Sequence, residues 1–284
     1  MWHTIESDPA VFTAMMRAYG VESPFALEVI DLDTKNEFLT KSIGFIFLFK
    51  YIAQDFKMDR ESRGPTDLIF VKQKANNSCA TIALMNIILN QKDLAPGRII
   101  EELKSKLFNL DSDQRGNIIA NNDEFKRIHN SFICEELEIL KSNVCVESSN
   151  SDGEAFHFSA FIPFHQNMGL VELDGLQRDA RIIDEGPNNW IDLCIDHLKL
   201  RIQTMKRESK NEEIRFSLIA ILPDPRKKFY RALSREEVNF FNVLDNQYDN
   251  ENVQRSKNYI VDIIGLLNKI STSENYVKYF KCQQ

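Results

Sequence analysis

The spacing of apolar residues predicts a helix close to the start of the chain. Ser7 and Asp8 can cap this helix, and Pro9 suits its first turn. The apolar residues that would form its buried face are Val11, Phe12, Met15 and Met16. Two continuous apolar runs follow, at residues 42–50 and 67–71, and such runs are typical of strands buried on both faces.

A longer apolar run begins just after Cys79. Residues 82–90 are apolar on nearly every face of a helix, so this segment is predicted to be a helix in the middle of the core. Further helices are predicted at residues 98–108 and 122–140. The remaining apolar segments predict two strands of a hairpin, a helix and a last strand, at residues 157–164, 169–173, 190–205 and 214–222.

A change in composition near residues 224–228 indicates the end of the main domain. This segment is charged and contains a proline, and the residues beyond it are rich in asparagine and charge. We therefore divide the chain into a domain of residues 1–226 and a short helical extension of residues 227–284. Within the extension, an apolar stripe that begins at Tyr259 predicts one amphipathic helix.

The composition is that of an ordinary globular protein, and it narrows the function classes. The chain has 284 residues, of which 43% are hydrophobic, enough for one sizeable core. Apolar runs are too short to cross a bilayer, and the first residues do not resemble a signal peptide. We therefore expect a cytoplasmic or nuclear protein without a membrane partner. A net charge of −7 argues against nucleic-acid binding, which depends on clustered lysine and arginine.

The cysteines do not form a disulfide or zinc-binding pattern. There are 5 of them, widely spaced and without a CxxC pair, so we expect neither a disulfide framework nor a metal site. An isolated cysteine in an intracellular chain is usually a small buried apolar residue. Only the local context of a given cysteine can favour a chemical role for that residue.

Cys79 has such a context, because it lies where the predicted core helix begins. Asn77 or Ser78 can cap this helix. The positive end of the helix dipole favours the thiolate, which is the nucleophilic form of cysteine. A cysteine that packs beneath a neighbouring strand fits the same position, so placement alone leaves both interpretations open. Gln73 could donate to a developing oxyanion together with the Cys79 N–H, although many glutamines are only surface residues.

His157 and Asp174 lie on the two strands of the predicted hairpin. If they face each other, the turn is centred between residues 165 and 166, where the sequence is polar. The carboxylate could then orient the imidazole, which could take a proton from the cysteine. A His–Asp hydrogen bond with a purely structural role is the alternative, and the nearby helix-start cysteine favours the catalytic interpretation.

At these residues the sequence resembles the ubiquitin C-terminal hydrolases (UCH), which are papain-like deubiquitinating cysteine peptidases. The matching segments are residues 6–9, 44–50, 73, 76–81, 127–132, 157–158, 172–176 and 213–216. They occur in family order across residues 1–226. Residues 255–259 and the apolar stripe after them resemble the proteasome-associated, long-tailed subfamily.

The resemblance implies a fold, a reaction and a role for each site residue. The implied fold is a knotted, papain-like α/β structure with helices on both sides of an antiparallel-rich sheet. Cys79 would be the nucleophile, His157 the general base and then acid, Asp174 the residue that orients His157, and Gln73 the oxyanion donor. Ubiquitin and its conjugates would be the substrates, and no cofactor is implied. Residues 227–284 would bind a proteasomal or other adaptor.

The resemblance also assigns a loop that limits what can leave the site. This crossover loop corresponds to residues 141–156 and includes Lys141, Asn143, Ser149, Gly153 and Glu154. The hairpin from His157 to Asp174 is two residues longer than the family pattern implies, and an even insertion preserves side-chain direction. A hydrolase for another ubiquitin-like modifier and a catalytically silent ubiquitin-binding module remain as alternatives.

Overall fold

The computed structural model describes residues 1–33, 37–50, 68–133, 156–164, 168–208, 215–228 and 233–255. Its helices and strands, in chain order, are α1 (Pro9–Ala18), β1 (Pro24–Glu28), β2 (Gly44–Lys50), α2 (Cys79–Ile88), α3 (Arg98–Leu107), α4 (Ser112–Ala120), α5 (Asp123–Asn130), β3 (Phe156–Ile162), β4 (Met168–Leu173), β5 (Arg181–Asn189), α6 (Trp190–Glu208), β6 (Phe216–Pro223), α7 (Pro225–Lys228) and α8 (Arg235–Arg255). No helix in these ranges is long and apolar enough to span a membrane.

The strands form one sheet in the order β1-β6-β2-β3-β4-β5, and every neighbouring pair is antiparallel. Alternate residues of a strand point to opposite faces of the sheet. The apolar strand β2 therefore contributes side chains to a hydrophobic core on each face. Ile46 packs with α1 and α2 on one face, whereas Phe45 and Phe47 pack with Trp190 and the rest of α6 on the other. The predicted α/β fold, an antiparallel sheet with helices on both sides, is confirmed.

Helix α1 begins as the sequence predicts. Asp8 adopts an extended backbone, and its Oδ1 accepts a hydrogen bond of 2.7 Å from the Ala10 N–H. Pro9 occupies the first helical position, where its missing N–H costs nothing. All four residues predicted for the buried face are buried.

Helix α2 lies in the centre of the molecule and is buried from its second residue to its last. This confirms the helix predicted from the apolar run after Cys79, which is its first residue. The predicted cap position is confirmed for Ser78, but its side chain makes no capping hydrogen bond. Ser78 is the N-cap residue but donates its hydroxyl to the Ala75 carbonyl, and Asn77 has a left-handed backbone with a φ of 63°.

The strand predicted at residues 67–71 is wrong over residues 68–71, which form no regular secondary structure. Its backbone is hydrogen-bonded by two side-chain amides of the α2 region instead. Asn86 bonds to both the N–H and the carbonyl of Val71, at 2.8 and 3.1 Å, and Asn90 does the same for Ile69. This amide pairing fixes the segment that leads to Gln73.

We expect Asn86→Ala to lower the free energy of unfolding by about 2–4 kcal/mol, because two buried backbone groups of Val71 lose their partners. Urea unfolding measures the change. The matched control is Asn121→Ala, because Asn121 is exposed and donates to a helix carbonyl. Equal effects from the two variants would contradict the structural role assigned to Asn86.

Several predicted boundaries differ from the observed ones. The helix predicted at residues 122–140 is present over Asp123–Asn130, a turn follows to residue 133, and the remainder lies outside the described residues. Strands β1 and β5 and helices α4 and α8 were not predicted. Helix α8 belongs to the proposed extension, and Tyr248 anchors it by donating a hydrogen bond of 3.0 Å to the Ala26 carbonyl. The helix predicted from Tyr259 lies outside the described residues.

Candidate active site

A cleft of about 690 Å³ opens at the start of α2. Cys79, Gln73 and His157 line it, although they come from three separate parts of the chain. A further wall is formed by the segment before α1, residues 3–8, which we call the strap; residues 4–7 of the strap line the cleft. The structure therefore places the Cys79 thiol, the His157 imidazole and the Gln73 amide around a single space.

Asp174 orients the ring of His157 through a buried hydrogen bond. The Nε2–H of His157 donates a hydrogen bond of 2.6 Å to Asp174 Oδ1, which also accepts one of 2.9 Å from the Leu176 N–H. His157 and Asp174 are only 3% and 2% exposed, so water does not compete for this hydrogen bond. The buried carboxylate fixes both the tautomer and the orientation of the ring.

The hairpin register differs from the prediction, although the predicted contact forms. Ala160 pairs with Leu173 and Ile162 with Val171, which centres the hairpin between residues 166 and 167. Asp174 therefore extrapolates to the position opposite Ser159 rather than opposite His157. A shift of two residues keeps both side chains on the same face, so the imidazole reaches the carboxylate diagonally. Residues 165–167 of the turn lie outside the described residues.

Cys79 lines the same cleft as His157 and interacts electrostatically with its ring. Because Asp174 engages Nε2, Nδ1 is the ring nitrogen left for the sulfur. Burial lowers the pKa of His157, but the hydrogen bonds and negative charges of Asp174 and Cys79 outweigh burial and raise the pKa to about 9. At neutral pH the arrangement therefore favours an imidazolium ion that is hydrogen-bonded to the Asp174 carboxylate.

Gln73 approaches Cys79 because its backbone is tied to the residue after Asp174. Its N–H donates a hydrogen bond of 2.8 Å to the Gly175 carbonyl. A side chain at position 175 would not fit, since a Cβ there would lie 2.7 Å from Ile82 and 3.2 Å from Gln73. The Gln73 amide donates one hydrogen bond of 3.1 Å to the Ala75 carbonyl, which leaves its second N–H for another acceptor.

A buried ion cluster that sequence reasoning missed supports the end of β4. Glu172 accepts hydrogen bonds from Ser159, Arg181 and Arg201, so one carboxylate joins β3, β4, β5 and α6. Burial raises the pKa of Glu172, but the charges and hydrogen bonds of the two arginines outweigh burial and lower the pKa to about 2. The signal in the sequence is a glutamate inside an otherwise apolar strand.

A second missed network connects α2 to the strap. His129 Nε2–H donates to the His3 carbonyl at 2.8 Å, so Nδ1 accepts from Thr81, which in turn accepts from Tyr19; both bonds are 2.8 Å. Trp2 packs its ring edge-on against His129 at 4.9 Å. Burial lowers the pKa of His129 to about 4, so this chain of hydrogen bonds stays neutral at physiological pH.

The predicted crossover-loop residues cannot be placed relative to this cleft. Lys141, Asn143, Ser149, Gly153 and Glu154 lie outside the described residues. The loop prediction therefore stays a prediction, as do the catalytic roles. The geometry adds that Cys79, His157 and Gln73 line one cleft, and that the buried Asp174 is hydrogen-bonded to His157.

Comparison with known proteins identifies the family. The model of the family described as ubiquitin carboxyl-terminal hydrolase, family 1, matches residues 2–203. The chain is 30% identical to the ubiquitin carboxyl-terminal hydrolase ubh-4 of Caenorhabditis elegans, over 94% of this chain and 86% of that protein. It is 32% identical to the ubiquitin carboxyl-terminal hydrolase isozyme L5 of Dictyostelium discoideum, over 78% of this chain and 62% of that protein.

A solved structure agrees with these relatives. The catalytic domain of Trichinella spiralis UCH37, bound to ubiquitin vinyl methyl ester, superposes with a TM-score of 0.64 and 31% identity. The superposition covers 79% of this chain and 96% of that chain. The resemblance read from the sequence is thereby confirmed. The chain belongs to the ubiquitin carboxyl-terminal hydrolases, a family of deubiquitinating cysteine peptidases.

Proposed function

We propose that the chain hydrolyses the bond after the C-terminal glycine of ubiquitin, with Cys79 as its nucleophile. The observation that carries this proposal is the position of His157, which is hydrogen-bonded to the buried Asp174 and lines the same cleft as Cys79. This is the arrangement that a thiol nucleophile needs, since the ring takes the thiol proton and the carboxylate stabilises the resulting imidazolium.

In the first step, the Cys79 thiolate attacks the carbonyl carbon of the glycine. The carbonyl oxygen becomes negatively charged, and two donors face it: the free N–H of Gln73 and the Cys79 backbone N–H, which has no intrahelical partner at the first position of α2. The carbon–nitrogen bond then breaks, and His157 gives its proton to the leaving amine. The product is a thioester between ubiquitin and Cys79.

In the second step, water hydrolyses the thioester. His157, now neutral, takes a proton from the attacking water, and the oxyanion donors act again. The carbon–sulfur bond breaks, ubiquitin leaves as a carboxylate, and the imidazolium–thiolate pair is restored. The reaction uses only these side chains and water, so it requires no cofactor.

The charges around the cleft suit such a substrate. The C-terminal tail of ubiquitin is basic, and the chain carries a net charge of −7. Glu6 lies on the cleft wall with an exposed side chain. An extended basic segment therefore meets the negative charge of Glu6 as it approaches Cys79.

A ubiquitin with an electrophile at its C-terminus tests this function. We expect one equivalent to couple to the protein, and mass spectrometry of the digested adduct should locate it on Cys79. The same electrophile on another ubiquitin-like protein is the matched control and should couple far more slowly. Faster coupling of the control would indicate a different modifier, and coupling of neither probe would refute the proposal.

Binding of a proteasomal or other adaptor through residues 227–284 stays a prediction. Within this segment the structure describes α7 and α8. Helix α8 carries three apolar side chains that are more than half exposed: Phe240, Val243 and Val253. They support the prediction of a partner, because exposed apolar groups on one helix favour protein contacts.

A further inference from the structure

The strap forms a wall of the cleft although it belongs to no helix or strand. At its start, the His3 N–H donates to Asn130 and the His3 carbonyl accepts from His129. At its end, Ser7 shares a hydrogen bond of 3.0 Å with Ser217. Glu6, which lies between these contacts, is 81% exposed at its side chain. The end of the strap that carries Glu6 and Asp8 therefore requires another contact to hold it in place.

That support comes from α8, which lies outside the segment that the family model matches. Arg255, the last residue of α8, donates to Asp8 Oδ2 and lies 3.6 Å from Glu6. Asp8 uses its other oxygen to cap α1, so one carboxylate joins the strap, α1 and α8. Arg255 is only 21% exposed, and its guanidinium stays charged at physiological pH.

We propose that Arg255 is a positioning residue for the hydrolysis, which holds the strap through Asp8 and Glu6 so that the cleft fits the extended, basic tail of the substrate. This inference rests on the proposed function and assigns part of substrate binding to α8. Charge-assisted hydrogen bonds are stronger than neutral ones, so the arginine is a firmer anchor than the Ser7–Ser217 contact.

The effect of Arg255 should appear in KM rather than in kcat. The strap contacts the tail of the substrate away from the reacting carbonyl, and binding there is the same in the ground state and the transition state. If the strap occupies its position for only a fraction of the time, the apparent affinity is the full affinity multiplied by that fraction. Cys79 and His157 keep their own supports, so the chemical step should not change.

The experiment compares Arg255→Gln with Arg17→Gln, by steady-state hydrolysis of a ubiquitin C-terminal fluorogenic amide at low ionic strength. Arg17 is the matched control, because it joins α1 to α8 through Asp245 at 2.6 Å but does not contact the strap. We expect Arg255→Gln to raise KM about threefold to tenfold with kcat nearly unchanged, and Arg17→Gln to change neither. Arg255→Lys, which keeps the charge, should recover most of the affinity.

One further measurement separates the possible failures. Alkylation of Cys79 by iodoacetamide should proceed at the same rate in all variants, which shows that the site is intact. An unchanged KM in Arg255→Gln, or an equal rise in Arg17→Gln, would overturn the inference while leaving the proposed function in place. A wild-type protein that reacts with iodoacetamide but never hydrolyses the ubiquitin amide would overturn both.

Discussion

Replacement of Cys79 by alanine is expected to abolish hydrolysis of ubiquitin conjugates while leaving the fold in place. Removal of a nucleophile from a catalytic group of this kind typically lowers kcat by about 10⁵-fold or more, because the residual activity comes only from binding and the oxyanion donors. Release of the fluorophore from a ubiquitin C-terminal amide measures the loss. Thermal unfolding checks that the variant is folded.

The structure explains why the fold should survive. Cys79 is the first residue of α2 and is only partly buried, so a shorter side chain leaves a small gap at the edge of the cleft rather than a cavity in the core. Alanine is also a favourable helix residue. Binding of ubiquitin should persist, since the strap and the other walls of the cleft are unchanged.

Cys194 provides the matched control. It is the other free thiol among the described residues, and it is fully buried in α6 against the opposite face of the sheet. Burial and the charge of Glu172 raise the pKa of the Cys194 thiol well above its usual range, so it is not a nucleophile. Cys194→Ala should cost some stability and leave kcat intact. Substantial turnover by Cys79→Ala would show that another group attacks the carbonyl.

The sequence predicts the chemistry of this site better than its local geometry. A cysteine at the start of an apolar helix and a histidine and aspartate on one hairpin are patterns that survive small errors in boundaries and register. The hairpin shows this, because the predicted register is two residues off and the His157–Asp174 hydrogen bond still forms. A shift of one residue would have placed the two side chains on opposite faces.

Residues 68–71 show what an apolar pattern cannot reveal. Four apolar residues in a row indicate a buried strand, and residues 69–71 are buried but form no strand. The pattern does not indicate which groups form hydrogen bonds with the backbone of this segment. Here Asn86 on α2 and Asn90 just after it take the place of a neighbouring strand.

The unpredicted elements lack a periodic pattern of their own. Strand β5 contains a glycine and a proline, forms one edge of the sheet and pairs irregularly with β4. Strand β1 begins with a proline and forms the other edge. Helix α8 is polar on most of its surface and is held by specific contacts, such as those of Arg255 and Tyr248, rather than by a broad apolar face. Whether such segments form a helix or a strand is determined by tertiary contacts.

Asp174→Asn is expected to lower kcat by about 10²- to 10⁴-fold with little change in structure. The asparagine oxygen can still accept the Leu176 N–H, so the turn after β4 should remain. The negative charge beside His157 disappears, however, and the amide no longer fixes the tautomer of the ring. The imidazolium that must form during attack by Cys79 then lacks its partner.

The same substitution should change the pH dependence of stability. The pKa of His157 is raised to about 9 in the folded protein, above the value of about 6.5 in an unfolded chain. A raised pKa contributes stability that is complete below about pH 6.5 and is lost as the pH rises through about 9. The difference in the free energy of unfolding between wild type and Asp174→Asn should therefore be largest near pH 6 and shrink towards pH 9.5.

Urea unfolding at several pH values measures this difference, and Asp224→Asn is the matched control. Asp224 is also a buried aspartate just after a strand, but it pairs with Arg226, whose charge does not change in this pH range. The control should lose stability by a similar amount at every pH and keep its kcat. If the stability difference for Asp174→Asn were also independent of pH, the carboxylate would not be what raises the pKa of His157. Its role would then be to hold the turn through Leu176, and the loss of kcat would need another cause.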